Sequence, residues 1–258
     1  MKIEILGAHN TETDKNRLPC LLVDDVIALD AGALTSALTL SRQQAINKIL
    51  ITHHHFDHTR DLIILAANGG VPPSTVDVYG LPETLEIVYS YLFDGNMYRD
   101  YTAWPSRENP RIKLKPLAPG QRLAVEAYEV LPLSVSHSVP TVGYLLTASN
   151  GRGIFYTGDT GNGLSECWHQ ITPDVLFIEV AGLNSMGEEM TQLRRHLTPS
   201  LLVEELKQFH EIKGYIPRVV VVHIPTLYEE ELRSELIDAG KQLGMELELA
   251  YEGLVIEV

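Results

Sequence analysis

Apolar and polar residues along this chain alternate with two periods, and the switches between them mark out its elements. The opening stretch, Met1-Lys2-Ile3-Glu4-Ile5-Leu6-Gly7, alternates every second residue and predicts a strand over 3–7. Spans 20–23 and 26–30 predict two more, with a polar loop over 9–17. After Leu29-Asp30-Ala31-Gly32 the pattern turns helical as far as residue 45. Ile49-Leu50-Ile51 reads as a buried strand, and Leu62-Ile63-Ile64-Leu65-Ala66-Ala67 as a helix stopped by Asn68-Gly69-Gly70. A strand over 76–79 and a helix from Pro82 to about Leu92 follow.

Between 112 and 156 the chain is strand after strand, at 112–116, 121–125, 128–135, 143–147 and 153–156. Strand and helix then alternate again: a strand at 175–180, a helix at 200–209 after Thr198-Pro199, and the four-valine strand 219–222. A helix at 229–243 and strands at 246–250 and 254–257 close the chain. Strand-rich and helix-alternating halves predict an α/β (α+β) architecture, two packed sheets with helices outside. With no repeat and no Gly/Ser linker, residues 1–258 are expected to form a single domain. One stretch breaks the pattern. Residues 93–110 carry Phe93, Tyr98, Tyr101 and Trp104 without either period, so this insert is expected to bury its rings against the body, a substrate or a second subunit in a homodimer.

Composition narrows the field. A formal charge of −14 disfavours long nucleic acid, which binds by pairing phosphates with Lys and Arg. A small phosphate ester stays open, since its charge can be met locally by metal ions. No apolar run approaches the roughly 20 residues of a membrane span, and the N-terminus lacks a signal-peptide core. A cytoplasmic protein is expected, with Cys20 and Cys167 reduced and structural rather than bridged.

The chemistry concentrates at strand ends. Thr52-His53-His54-His55-Phe56-Asp57-His58 follows the buried strand 49–51 and precedes a helix, which places three of its four imidazoles and a carboxylate where side chains can converge. His137, Asp159 and His223 each lie directly beyond an apolar strand as well. A lone histidine at a strand end is ordinarily structural; seven candidate ligands in this order are a poor fit to chance. His54 alternates away from His53 and His55 and is not expected to ligate. Thr52 and Asp30 are expected to hydrogen-bond behind the ligands rather than bind an ion.

His53-x-His55-x-Asp57-His58, then His137, Asp159 within Thr-Gly-Asp-Thr, and His223 after the valine strand resemble the metallo-β-lactamase superfamily, from about residue 3 to the end. The resemblance implies an αββα sandwich and a hydrolase with two divalent ions, zinc foremost, with manganese or iron able to use the same ligands. It implies His53, His55 and His137 on one ion, Asp57, His58 and His223 on the other, and Asp159 shared between them. Within the superfamily, Leu92-Phe93-Asp94-Gly95, Tyr98-Arg99-Asp100-Tyr101, Ser136-His137-Ser138-Val139 and Gly158-Asp159-Thr160-Gly161 are similar to class II cyclic-nucleotide phosphodiesterases. Phe177-Ile178-Glu179-Val180 and His196-Leu197-Thr198-Pro199 share that likeness and also resemble the tRNA 3′-processing ribonucleases. That implies cleavage of a small anionic phosphodiester, such as a 3′,5′-cyclic nucleotide, by a hydroxide shared between the metals. His196 then protonates the departing oxygen or binds the phosphate, with Glu179 its orienting partner and Asp57 both ligand and catalytic group. The chain departs from the phosphodiesterases at Ile224-Pro225-Thr226, where a lysine is expected. RNA 3′-end processing, lactone or thioester hydrolysis, and a non-catalytic metal domain are the alternatives.

Overall fold

Alternating and continuous apolar runs become strands in the computed structural model, which describes residues 1–70, 74–187, 190 and 195–258. In chain order the first six are β1 (Lys2–Gly7), β2 (Cys20–Val23), β3 (Ile27–Leu29), β4 (Lys48–Leu50), β5 (Val76–Gly80) and β6 (Ile112–Pro116). Next come β7 (Leu123–Val125), β8 (Tyr128–Val135), β9 (Thr141–Ala148), β10 (Gly153–Tyr156) and β11 (Val175–Glu179). The last three are β12 (Arg218–Val222), β13 (Glu248–Leu249) and β14 (Val255–Glu257). The helices are α1 (Leu34–Ala37), α2 (Leu40–Ala45), α3 (Phe56–Thr59), α4 (Leu62–Ala67), α5 (Pro82–Val88), α6 (Ser165–Gln170), α7 (Pro199–Lys213) and α8 (Glu229–Leu243).

The described residues divide into two compact units. The first comprises Met1–Ala8, Glu12–Ala118 and Tyr251–Glu257. Its seven-stranded sheet runs β14-β1-β2-β3-β4-β5-β6, antiparallel as far as β3 and parallel from β3 to β6. Parallel strands covered on both faces read as continuous apolar runs, and β3 is buried throughout. Leu62, Leu65 and Ala66 of α4 join Ala28, Ile49, Val78 and Ile112 of the sheet in one apolar cluster. Each large aliphatic chain so buried contributes roughly 1.5–3 kcal/mol. The sequence predicts a helix up to Leu92; α5 instead ends at Val88 and the chain widens into a π-helical turn over Tyr89–Phe93. Rings of the aromatic insert then pack on one another. Tyr101, 7% exposed, stacks on Tyr98 at 5.9 Å and meets Trp104 edge-on at 5.8 Å.

The second unit comprises His9–Thr11, Pro119–Ala250 and Val258. Its sheet runs β13-β12-β11-β10-β9-β8-β7, parallel from β13 to β10 and antiparallel from there to β7. Thus each sheet is half hairpins and half parallel strands, the mixed α/β class that the sequence predicts. Trp168 of α6 is fully buried, with Phe155 and Phe209 edge-on at 6.3 and 5.3 Å. Its indole N–H donates to Glu205, whose carboxylate also accepts from the backbone of Gly163 and Leu164 at the start of α6. One buried carboxylate thereby satisfies three donors that would otherwise be orphaned. α7 begins at Pro199 behind the Thr198 cap and ends at Lys213, capped by Gly214, whose φ of 78° suits glycine. Among the described residues, no helix is long and apolar enough to cross a membrane.

Candidate functional site

In the first unit, β4 delivers the chain to Thr52 and His53, and α3 starts immediately after His55. The His53 ring lies 4.5 Å from that of His55 and 4.2 Å from that of His58, centroid to centroid. Asp57, in the first turn of α3, brings Oδ2 to 3.5 Å from His58 Nε2. This loop needs Gly32 beside it: a Cβ there would sit 2.2 Å from the Asp57 carbonyl oxygen. His54 is half-buried, and burial lowers its pKa.

Hydrogen bonds behind the rings settle which nitrogen each presents. Asp30 is fully buried at the end of β3 and turns through a φ of 60°, uncommon outside glycine. Its carboxylate lies 2.7 Å from His58 Nδ1 and accepts from the Thr52 backbone N–H and hydroxyl. A carboxylate accepts only, so His58 carries its proton on Nδ1 and turns a lone pair outward at Nε2. Thr52 spends its hydroxyl hydrogen on Asp30, so its oxygen accepts from His53 Nδ1 at 3.0 Å. His53 is therefore also left with a basic Nε2. One carboxylate thus sets the tautomers of two imidazoles, directly and through a hydroxyl.

The second unit assembles a comparable set. His137 follows β8, and its Nδ1 faces the Arg195 carbonyl at 3.4 Å while the Arg195 guanidinium donates back to the His137 carbonyl. Asp159 lies past β10, after Gly158 at a φ of 60°. His223 directly follows β12 with a φ of 58°, a strained position for a side chain this large. Asp159 directs Oδ2 to 3.7 Å from His137 Nε2 and Oδ1 to 3.4 Å from His223 Nε2. Its two oxygens therefore face two different imidazoles. His196 joins Asp159 and His223, their ligand atoms within 4.8 Å of one another. The His196 ring stacks against His223 at 5.5 Å, and its Nδ1 is 2.5 Å from Glu179 Oε1. Glu179 is fully buried and further fixed by the backbone N–H groups of Thr160 and Ala181.

These donors fit a divalent metal. Ligand bonds of about 2.0–2.1 Å in tetrahedral array place neighbouring donor atoms roughly 3.3–3.4 Å apart. The His223–Asp159 and His58–Asp57 separations, 3.4 and 3.5 Å, match that edge and are long for hydrogen bonds. Imidazole nitrogens mixed with carboxylate oxygens suit zinc, manganese or iron. Asp30 and Thr52 lie behind the ligands and not among them. Arg195 is a residue the sequence pattern did not single out: it acts on His137 through a main-chain carbonyl, which leaves no trace in side-chain chemistry.

Known proteins are similar to this chain in sequence and fold. A family model for a beta-lactamase superfamily domain matches residues 21–224. The 3′,5′-cyclic-nucleotide phosphodiesterase 1 of Saccharomyces cerevisiae is 24% identical over 224 residues, covering 75% of this chain and 60% of that protein. Ribonuclease Z of Pyrococcus abyssi is 33% identical over 112 residues, 43% of this chain and 34% of that enzyme. The chain thus matches less than two thirds of the length of either relative. The crystal structure of unliganded yeast PDE1 superposes with a TM-score of 0.82 at 20% identity, covering 100% of this chain and 99% of that one.

Proposed function

Because the chain belongs to the beta-lactamase superfamily, we propose that it is a dinuclear metal-dependent hydrolase of small phosphodiesters, with a 3′,5′-cyclic nucleotide as its foremost substrate. On this reading residues 1–258 act as one hydrolase domain. His53, His55 and His137 hold one ion, Asp57, His58 and His223 the other, and Asp159 serves both. Divalent ions in such a site supply Lewis acidity, lowering the pKa of water towards 7 and offsetting charge on the attacking and leaving oxygens. Zinc is the first choice for so imidazole-rich a set.

The single observation that carries the reading is the Glu179–His196 pair beside Asp159 and His223. Glu179 holds the Nδ1 proton of His196 and stabilises the imidazolium, so the Nε2 proton can pass to a departing alkoxide oxygen. In lactam, lactone or thioester hydrolysis the pair would have no phosphate to serve. Asp57 presents a carboxylate that orients the attacking water. A relative named as a cyclic-nucleotide phosphodiesterase supports the same chemistry. The ribonuclease Z match favours RNA 3′-end processing as the second reading, but a charge of −14 opposes a long polyanion. Two buried free thiols suit a reducing, cytoplasmic setting.

Metal-loaded protein assayed in parallel against cyclic AMP, a chromogenic phosphodiester, a lactam and a thioester tests the proposal. Turnover of the two phosphodiesters is expected; turnover of the carbonyl substrates alone overturns it.

A further inference from the structure

His196 belongs to two places at once. It joins Asp159 and His223 in the group of candidate ligands, and it lines a cleft of about 310 Å³ in the second unit. We propose that this cleft seats the uncharged, nucleoside-sized organic part of the substrate, and that Asn10 reads a hydrogen-bond acceptor on it. The inference deepens the phosphodiester reading above and rests on it.

Position comes first. An acid that protonates a departing oxygen must approach it within about 2.6–3.2 Å. The carbon skeleton bearing that oxygen therefore starts against His196, and the cleft is the space that His196 borders.

The lining then limits the occupant. Met186, Met190, Pro225 and Leu227 are apolar, Asn10, Thr11, Thr226 and Tyr228 offer polar atoms, and among the described residues none that lines it is Lys, Arg, Asp or Glu. Apolar walls with a few placed polar groups characterise small-molecule sites, which span roughly 300–1,000 Å³. At about 310 Å³ this cleft has room for one nucleoside.

Asn10 supplies the reading group. Its backbone N–H donates to the Ile224 carbonyl at 3.1 Å, which pins the residue beside the end of β12. Its side-chain oxygen accepts from the Thr11 hydroxyl at 3.0 Å. The two amide N–H donors remain for a ligand, since no hydrogen bond engages them among the described residues. Thr226 donates to the Thr11 carbonyl at 3.4 Å and ties the opposite wall to the same loop. Leu227 stands 82% exposed at the rim, apolar surface that a bound base would cover.

The test compares metal-loaded wild type, Asn10→Ala and Leu227→Asp. Two quantities are read: the ratio of kcat/KM for cyclic AMP to that for a bis-aryl phosphodiester without a nucleoside, and the Kd of adenosine by calorimetry. Asn10→Ala is expected to lower the ratio about tenfold through KM, the size of one lost hydrogen bond, and to weaken adenosine by a similar factor. Leu227→Asp, at an exposed position that folding tolerates, is expected to weaken adenosine as well. Wild-type ratios and wild-type adenosine affinity in both variants overturn the cleft assignment and leave the phosphodiester reading standing. Failure of wild type to bind adenosine also overturns it. Adenosine binding that Asn10→Ala weakens, in a protein that turns over no phosphodiester, sustains the cleft and removes the reaction instead.

Discussion

Glu179 Oε1 and His196 Nδ1 are 2.5 Å apart, and the carboxylate that makes this contact is wholly buried. Three donors converge on Glu179, from His196, Thr160 and Ala181, and together they fix the orientation of its carboxylate. His196 is thereby fixed in one tautomer, with Nε2 as its reactive edge. Replacement by His196→Ala is expected to lower phosphodiester turnover about 10²–10⁴-fold, the contribution of a positioned acid, with metal content unchanged. Glu179→Gln places an amide among donors that require an acceptor, and a smaller loss with an altered pH profile is expected. Turnover at the wild-type level in His196→Ala would return the pair to a purely structural role.

Asp30 supports two imidazoles that it does not share with any solvent. Asp30→Ala would leave His58 Nδ1 and the Thr52 N–H and hydroxyl without their acceptor in a fully buried site. Orphaned buried donors cost about 1–3 kcal/mol each, and more when the lost partner was charged. Urea unfolding of the metal-free protein is expected to show a loss of about 2–4 kcal/mol. Metal titration should show affinity weakened about 10–100-fold, since both tautomers are released. A variant with wild-type metal affinity would mean that the ring orientations are held elsewhere.

Some of this is legible in the amino-acid pattern, and some is not. β2, β8 and α8 occupy the spans that periodicity predicts, 20–23, 128–135 and 229–243, because each buries a regular apolar stripe. α6 escapes that reading: six residues make under two turns, too few for a helical period, and it is held by Trp168 and the buried Glu205. The strand read over 246–250 shrinks to Glu248–Leu249, at the sheet edge where only β12 pairs with it. Asp30 is visible as an acid at a strand end, but its grip on His58, 28 residues later, is tertiary. The aromatic character of 93–110 is plain from composition alone. That Tyr98, Tyr101 and Trp104 pack on one another is a matter of packing no sequence period encodes.

Metal should stabilise the fold as well as activate it. A ligand at about one hundred times its Kd adds roughly 2.7 kcal/mol, which raises Tm by roughly 5–10 °C in a chain of this size. Scanning calorimetry with added zinc or manganese is expected to show that rise, and a chelator to reverse it together with activity. His223→Ala should blunt the rise. If none of zinc, manganese or iron moves Tm and the purified protein carries only trace metal, the dinuclear reading fails.

The two thiols make the fold sensitive to alkali. Cys167 is 3% exposed and donates to the Ser134 carbonyl at 3.2 Å; burial first, then the nearby carboxylates of Glu205 and Glu166, push its pKa up to about 12. Cys20, bonded to the Asp30 carbonyl, is pushed well up by burial and then by Asp61. A thiol whose folded pKa lies above its unfolded value of about 8.5 holds its proton more tightly when folded. Its contribution is complete below that unfolded value and is lost as pH rises towards the folded one. Stability should therefore fall between about pH 8.5 and 12, at up to about 1.4 kcal/mol per pH unit for each thiol. Serine at either position keeps the hydrogen bond and does not ionise, so Cys20→Ser with Cys167→Ser should flatten the urea-midpoint profile over pH 8–10.5. In the native protein at pH 8 neither thiol should react with a disulfide reagent, and both should react in denaturant, because thiolate and access are lacking together. Rapid labelling of the native state, or an identical alkaline slope in the double variant, would show that other groups govern the alkaline limb.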